Sequence, residues 1–301
     1  MQTSPACIPC ILTQVLATAR RVTPDEWLHR RVLVEAMELL QKGDFDRSPA
    51  EVVHEVLSGA LGVLGNPDPY AEDRAKSLTA AQSLEAKARE AIRSAADPLL
   101  AAAKLAAAAN AWDAVVLGSL DPVAMIERAL DRPFATDEYA GFKQAIAAAG
   151  KVLYLLDNAG EVVFDRLLIE QLGGRKVTCV ARHSVVCNDV TPADLAGFFA
   201  PEVEVIDPGV DGMGLPLSLC SKEFRQRWAG SDVILAKGPA NFETLEAAEG
   251  KAFFLLAVKC PRVAEHLRCA VGDVVLTKNA PKAVTQKAVK QATRVRMRKT
   301  S

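Results

Sequence analysis

After Gly150, short apolar segments alternate with helical ones, and this alternation limits the possible folds more than any other feature of the chain. The apolar segments are residues 151–156 (KVLYLL), 176–181, 203–206, 232–236, 253–258 and 274–276. Most are apolar nearly throughout, as expected for strands that are covered on both faces. Strands of this kind, separated by helices, predict an α/β fold: a three-layer α/β/α domain with a mainly parallel sheet.

The sequence before residue 150 carries helical signals and no convincing strand. Apolar residues recur at helical spacing over residues 26–42 and 49–64, and residues 71–96 are rich in strong helix formers. Asp97 and Pro98 begin a further, alanine-rich helix. We therefore predict three parts: an all-helical N-terminal domain (residues 1–145), an α/β domain that carries the active site (146–278) and a basic C-terminal tail (279–301).

Composition and charge argue against several classes of protein. There are 36 Lys and Arg residues against 37 Asp and Glu residues, which gives no sign of a partner nucleic acid or membrane surface. No run approaches the roughly 20 apolar residues of a membrane span, and no apolar signal segment stands near the N-terminus. Seven cysteines is an odd number for a disulfide framework. We therefore expect a cytoplasmic enzyme with reduced thiols.

Oxygen-bearing side chains follow the first two predicted strands. In open α/β sheets, ligands bind beyond the carboxyl ends of the strands, and these ends meet at one edge. Residues 157–161 (DNAGE) follow the first strand, and Asn188 and Asp189 follow the second. Either group alone also suits a turn and a helix cap. Together, Asp157, Asn158 and Asp189 predict a divalent-metal site.

Two lysines follow later strands and predict an anion site. Lys237 comes after the fourth strand, just before a helix that contains Asn241, and Lys259 comes after the fifth. An ammonium group and the free amides of a helix N-terminus can bind an anion, although a surface lysine before an ordinary turn looks the same in sequence. A divalent cation beside positive groups is the arrangement used for phosphoryl transfer to water, with Asp157 or Asp189 accepting the proton of the attacking water.

The ordered set of motifs resembles that of the metal-dependent damage-control phosphatases, a former domain-of-unknown-function (89) family. The chain is most similar to the small prokaryotic members that begin with a CxxC. The matching motifs are CIPC (7–10), DPY (68–70), DNAGE (157–161), ND (188–189), KGPANFE (237–243) and KC (259–260). Any one of them is unspecific, but the ordered set is specific and spans nearly the whole chain.

The resemblance implies a function as well as a fold. The family hydrolyses phosphate monoesters of small metabolites, such as sugar phosphates or damaged phosphometabolites, with Mn²⁺, Ni²⁺, Co²⁺ or Mg²⁺. Its members have a helical region followed by a three-layer α/β/α domain. The implied metal ligands are Asp157, Asn158 and Asp189. The implied substrate and phosphate contacts are Lys237, Asn241, Lys259 and Glu161.

Two features depart from the family pattern. The family has a Gly-Asn pair followed closely by Asp in the helical region, whereas this chain has Ala109, Asn110 and Asp113. Alanine in place of glycine would narrow a pocket there, which bears on substrate preference. The loop before Asn188 lacks an expected proline and contains His183, which could contact substrate but is more simply a solvated loop histidine.

The cysteines leave two further functions open. Cys7 and Cys10 form a CxxC, and Cys260 at the end of the fifth strand is a candidate partner in a redox or second metal site. Helix packing is the simpler interpretation of these thiols.

The alternatives to a phosphatase are a non-catalytic metal or redox protein using Cys7 and Cys10, and an S-adenosylmethionine-dependent carboxyl methyltransferase. The absence of a GxGxxG loop after the first strand argues against the methyltransferase.

Overall fold

The computed structural model describes residues 1–112, 122–248 and 251–279. Residues 280–301, which hold nearly all of the predicted basic tail, and Asp113 lie outside the described residues. Within the described ranges no strand precedes residue 150, as predicted. The helices there are α1 (Cys7–Val22), α2 (Glu26–Lys42), α3 (Pro49–Leu64), α4 (Ala71–Ser94), α5 (Pro98–Ala109), α6 (Pro122–Asp131) and α7 (Tyr139–Ala148).

Local sequence signals fix the ends of these helices. Ser48 and Glu51 form a capping box at the start of α3, in which each side chain accepts a hydrogen bond from the other's backbone amide. Pro49 occupies the first helical turn, where its missing amide costs nothing. Gly65 ends α3 with a φ of 66°, a left-handed conformation that glycine adopts without strain. Asp97 similarly caps α5 through the amide of Leu100.

The sheet and the helices between its strands follow residue 150. They are β1 (Lys151–Leu155), α8 (Val162–Glu170), β2 (Lys176–Val180), a 3₁₀ turn (Ala193–Leu195), β3 (Glu204–Ile206), α9 (Lys222–Gly230), β4 (Val233–Lys237), α10 (Gly238–Leu245), β5 (Ala252–Ala257), α11 (Pro261–Leu267) and β6 (Val274–Lys278). The strand order is β3-β2-β1-β4-β5-β6. All neighbouring pairs are parallel except β5 and β6. The mainly parallel sheet is therefore confirmed.

The strand order reverses direction between β1 and β4. From β1 the chain adds β2 and β3 on one side of the sheet and then returns to place β4 on the other, with Leu155 paired to Ala236. In doubly wound sheets, a crevice opens at this switch point beyond the carboxyl ends of the two central strands. The residues that follow β1 and β4 are therefore the ones that the topology brings to a ligand-binding position.

Both faces of the sheet are covered by helices. On one face, Val152 and Tyr154 of β1 share a core with α4, α5, α7 and α8. On the other face, Leu153 and Leu155 pack with residues of α9, α10 and α11. Helices α1 to α3 form a separate core. The hydrophobic core of the sheet thus extends across the predicted boundary at residues 145/146. Among the described helices, none is both long and apolar enough to span a bilayer.

Candidate active site

Hydrogen bonds between backbones bring the loops after β1 and β2 together. The carbonyl of Asp157 accepts a hydrogen bond from the amide of Val190 at 3.0 Å. Asn158 and Asp189 are paired in an isolated antiparallel bridge. Both carboxylate residues are nearly buried, with 4% of Asp157 and 7% of Asp189 exposed. The structure therefore places the three predicted metal ligands side by side at the switch point.

The first residue of α10, which directly follows β4, approaches Asp157 so closely that only glycine fits. Gly238 has a φ of 78°, in the left-handed region. A Cβ atom at this position would lie 1.9 Å from Oδ2 of Asp157. Any side chain here would displace the carboxylate. Gly238 therefore permits the close approach of the loop after β1 to the start of α10.

Arg182 joins the two carboxylates and was not identified as a site residue from the sequence. Its Nε donates to Oδ2 of Asp189 at 2.6 Å, and its Nη2 lies 3.5 Å from Oδ1 of Asp157. Its Nη1 donates to Oδ1 of Asn241 at 3.0 Å. A signal was available, because Arg182 lies two residues after the end of β2, at the carboxyl edge of the sheet.

A second buried cation, Lys237, pairs with two carboxylates at the start of α8. Its Nζ donates to Oε2 of Glu161 and to Oδ1 of Asp165, both at 2.7 Å. All three side chains are fully buried. The hydroxyl of Tyr154 donates to the same oxygen of Asp165 at 2.8 Å. Lys237 and Glu161 were expected to contact substrate, but here they hold each other. Glu161 is the N-cap of α8, and Asp165 lies one helical turn later. This spacing of four residues was a signal in the sequence that we did not use.

The pKa values in this cluster follow from burial and from the neighbouring charges. Burial alone would raise the pKa of Glu161, but Lys237 and Lys259 hold it below its ordinary value. Burial would lower the pKa of Lys237, but the two carboxylates raise it above its ordinary value. Burial raises the pKa of Asp165 to about 6, because the attraction of Lys237 only partly offsets the desolvation.

Asn110 connects the helical layer to the acidic side chains. Its Nδ2 donates to Oδ2 of Asp157 at 2.9 Å and to Oε1 of Glu161 at 2.5 Å. Its Oδ1 accepts the amide of Ala257 at 3.1 Å, at the end of β5. The sequence marked this residue only through its preceding Ala109, which is buried. Asn110 therefore belongs to the site as a bridge between two carboxylates and the sheet.

A cavity of about 210 Å³ adjoins these residues at the carboxyl edge of the sheet. Among the described residues that line it, Lys259 carries the only formal charge. The positive charge of Lys259 offsets part of the rise that burial causes in the pKa of Asp157, and it adds to the effect of Lys237 in lowering the pKa of Glu161. The lining residues are Ser77, Asn110, Ala111, Trp112, Asn158, Gly160, Asn188 and Lys259.

Asn241, an expected substrate contact, and His183, interpreted from the sequence as a solvated loop histidine, do not line this cavity. Asn241 is fully buried, and its Nδ2 donates to the carbonyl oxygens of Leu156 and Lys237 while its Oδ1 accepts from Arg182. It therefore ties β1 to the start of α10. His183 is half-exposed, and its Nδ1 lies 2.6 Å from Oδ1 of Asp207.

The charges of the buried network are unbalanced in a way that suits a divalent cation. Among the residues that the structure describes, hydrogen bonds connect four buried carboxylates with two buried cations, which leaves a formal excess of two negative charges. The carboxylates are those of Asp157, Glu161, Asp165 and Asp189, and the cations are Arg182 and Lys237. Burial, together with the charges of Asp189 and Glu161, raises the pKa of Asp157 well above its ordinary value. A bound cation would relieve this repulsion.

An unpartnered oxygen points to the same conclusion. Oδ1 of Asn188 is buried without a hydrogen-bond partner, in a residue that lines the cavity. A buried acceptor left unpaired is costly, and a cation would satisfy it. Among the described residues, no three His, Cys, Asp or Glu side chains converge to hold a metal by themselves. A metal here would thus need the mixed set of carboxylate and carboxamide oxygens that hard cations accept.

The three cysteines singled out in the sequence are neighbours at another place. Cys7 and Cys10 lie on the first turn of α1, and Cys260 caps α11 through the amide of Arg262. Burial, followed by the proximity of Cys260 and Cys7, raises the pKa of the Cys10 thiol. A raised pKa lowers the thiolate fraction and with it the nucleophilicity. All the described cysteines are free thiols.

Glu243, which lies close to Cys10, predicts a pH dependence of stability. Burial raises its pKa from 4.5 to about 7, because the hydrogen bond from the Ala50 amide only partly offsets the desolvation. The folded state therefore favours the protonated form, and the stability this confers is present below pH 4.5 and lost as the pH rises through 7. We expect Glu243→Gln, which mimics the protonated form, to match the wild-type Tm at pH 5 and exceed it at pH 8.

Thermal unfolding between pH 5 and 8 measures this difference. Glu202→Gln removes an exposed carboxyl and serves as the control, for which no such divergence with pH is expected. Parallel pH profiles for Glu243→Gln and the wild-type chain would contradict the assignment.

Comparison with known proteins agrees with this fold. Residues 3–275 match the family model described as the damage-control phosphatase ARMT1-like domain. A damage-control phosphatase of Pyrococcus horikoshii is 31% identical over 280 residues, covering 91% of this chain and 96% of the relative. A damage-control phosphatase of Archaeoglobus fulgidus is 30% identical over 285 residues, covering 91% and 98%. The crystal structure of a DUF89 family protein from P. horikoshii superposes with a TM-score of 0.85 at 30% identity, covering 93% of this chain and all of that one.

Fold and site together define a doubly wound α/β protein with a cluster of buried carboxylates beside a cavity at its switch point. The chain belongs to the damage-control phosphatase ARMT1-like family. The resemblance inferred from the sequence motifs is thereby confirmed. Membership supports a phosphatase, with a small phosphorylated molecule as its substrate.

Proposed function

We propose that this chain is a metal-dependent phosphatase that hydrolyses phosphate monoesters of small metabolites, such as sugar phosphates or damaged phosphometabolites. The observation that carries the proposal is the excess of buried carboxylates at the switch point, directly beside a cavity that Lys259 lines. Asp157, Asn158 and Asp189 would hold the cation, with Mn²⁺, Ni²⁺, Co²⁺ or Mg²⁺ as candidates.

The residues around the cavity have separable tasks in this reaction. A divalent cation, when bound, supplies neutralisation of phosphate oxygens and a lowered pKa for attacking water. Arg182 and Asn110 fix the carboxylate of Asp157, and Arg182 also fixes that of Asp189. One of these two carboxylates accepts the proton of the attacking water. Lys237 does not reach the cavity and acts by holding Glu161 and Asp165 in place.

Lys259 is expected to bind the phosphate group. A charge-assisted hydrogen bond of this kind contributes about 1.5–3 kcal/mol, so Lys259→Met should lower kcat/KM about 10–100-fold, with an increase in KM. Steady-state kinetics with p-nitrophenyl phosphate measures the effect. Lys251→Met is the matched control, because Lys251 is also exposed but precedes β5, at the opposite edge of the sheet. Equal losses in both variants would contradict a specific role for Lys259.

A panel of phosphometabolites assayed with Mn²⁺, Ni²⁺, Co²⁺ and Mg²⁺ tests the function as a whole. We expect the release of inorganic phosphate to depend on added metal and to stop with chelator. Unchanged release in chelator would rule out the metal. Methyl transfer from S-adenosylmethionine to a carboxylate, without phosphate release, would instead support the alternative activity.

A further inference from the structure

The DPY motif (residues 68–70), which the reaction above does not use, anchors a buried arginine. The carboxylate of Asp68 accepts two hydrogen bonds from Arg74, at 2.8 Å from Nη1 and 2.6 Å from Nη2. It also accepts the amide of Tyr70 at the start of α4. Arg74 is only 7% exposed. A two-pronged pair of this kind fixes the guanidinium plane as well as its position.

Arg74 also contacts the loop that carries two of the site residues, Asn188 and Asp189. Its Nη1 also donates to the carbonyl oxygen of Cys187 at 3.1 Å. Cys187 has a φ of 47°, one of only two positive values among the described non-glycine residues. This left-handed conformation costs a side-chain-bearing residue about 1 kcal/mol or more. The contact with Arg74 is therefore one of the interactions that hold the strained peptide.

The strained peptide helps to fix the position of Asn188, whose own carbonyl oxygen accepts the amide of Ala159 at 2.9 Å. Cys187 and Asn188 share the peptide bond whose carbonyl Arg74 holds, and the next residue, Asp189, is held from the other side by Arg182. Between these two arginines, Asn188 lines the cavity with its buried Oδ1 unpaired. A phosphate oxygen would repel this acceptor, whereas a cation or a hydroxyl donor would satisfy it. The excess of buried carboxylates beside Asn188 favours the cation.

We propose that Asn188 is an additional oxygen ligand of the bound cation, and that Arg74 with Asp68 is the positioning pair that presents it. This inference rests on the proposed metal-dependent function and adds to it a ligand and its support. Arg74 does not line the cavity and reaches the site through the carbonyl of Cys187. Its charge is also within electrostatic reach of Asp189, an effect that Arg74→Lys preserves.

Calorimetric titration of the metal-free chain with Mn²⁺ tests both parts without relying on activity. We expect Asn188→Ala to weaken binding about 10–100-fold, and Arg74→Lys to do so to a similar extent, as is usual when a metal's supporting shell is lost. Lysine keeps a charge beside Asp68 but cannot also reach the carbonyl of Cys187 through a second fixed N–H. Asn188→Asp should restore binding, because a carboxylate oxygen replaces the carboxamide oxygen.

A control variant and a double variant separate positioning from general destabilisation. Arg89→Lys alters another arginine of α4, which pairs with Glu85 and Glu170, and should leave the Kd for Mn²⁺ unchanged. If Arg74 acts through Asn188, the Arg74→Lys/Asn188→Ala variant should bind no more weakly than Asn188→Ala alone. Additive losses would overturn the positioning role.

The outcomes also distinguish this inference from the function on which it rests. Wild-type affinity in Asn188→Ala, combined with lost binding in Asp157→Ala, would overturn the inference and leave the metal site intact. Wild-type affinity in Asp157→Ala, or no binding by the wild-type chain, would overturn both. Thermal unfolding of each variant confirms that titrations are made on folded protein.

Discussion

An Asp157→Ala variant is expected to release phosphate from p-nitrophenyl phosphate at least about 1,000-fold more slowly than the wild-type chain in Mn²⁺, which corresponds to about 4 kcal/mol of transition-state stabilisation. The reason is its place at the switch point, where it meets Arg182, Asn110 and the backbone of Gly238. Removing it takes away a ligand oxygen and a candidate proton acceptor together. Initial rates over a range of metal concentrations measure the loss.

Asp207→Ala is the matched control for this prediction. Asp207 directly follows β3 at the same edge of the sheet, but its carboxylate pairs with His183 and does not line the cavity. Near-wild-type activity is expected in this variant. Substantial metal-stimulated activity in Asp157→Ala, in a protein that unfolds cooperatively, would refute the assignment of the catalytic centre.

The largest effect on stability is expected from Lys237→Met, which should lower the free energy of unfolding by about 3–5 kcal/mol. The substitution leaves Glu161 and Asp165 buried without their cation, in a place that solvent cannot reach. Denaturation in urea measures the change. Lys143→Met, which breaks an exposed ion pair with Asp97, should cost no more than about 1 kcal/mol.

Removing the stranded charges should recover much of this loss. In the variant Lys237→Met/Glu161→Gln/Asp165→Asn, the buried cluster carries no formal charge. Proteins in which a buried ion cluster is replaced by uncharged side chains are often about as stable as the original. A triple variant no more stable than Lys237→Met alone would show that packing, and not unpaired charge, causes the loss.

The strands were predictable because of where they lie. A parallel strand covered on both faces has no polar side, so it stands out in the sequence as an unbroken apolar run. Each run predicted from the sequence, such as residues 176–181, overlaps a strand, here β2 (Lys176–Val180). The order of the strands was not predictable, because nothing local to β4 says that it pairs with β1 and not with β3.

The site was predictable in its location and less so in its details. The rule for strand ends brought Asp157 and Asp189 together correctly, because the topology alone places both there. Lys237 and Lys259 look alike in sequence, since each follows an apolar strand. One became buried because Glu161 and Asp165 of α8 face it, and the other remained exposed at the cavity. Such a difference depends on partners far away in the chain, which periodicity does not reveal.

The cavity takes its walls from two separate sources. Its charged neighbours stand on the sheet edge, whereas Ser77, Ala111 and Trp112 come from α4 and the residues just after α5 and carry no charge. Changing the size or shape of these three neutral side chains leaves every buried ion pair of the sheet edge in place. In the proposed reaction, changes at these three positions would alter which alcohol portion of an ester fits the cavity and would leave the carboxylate cluster unchanged. Residues that determine which metabolite is accepted are therefore to be sought in α4 and just after α5.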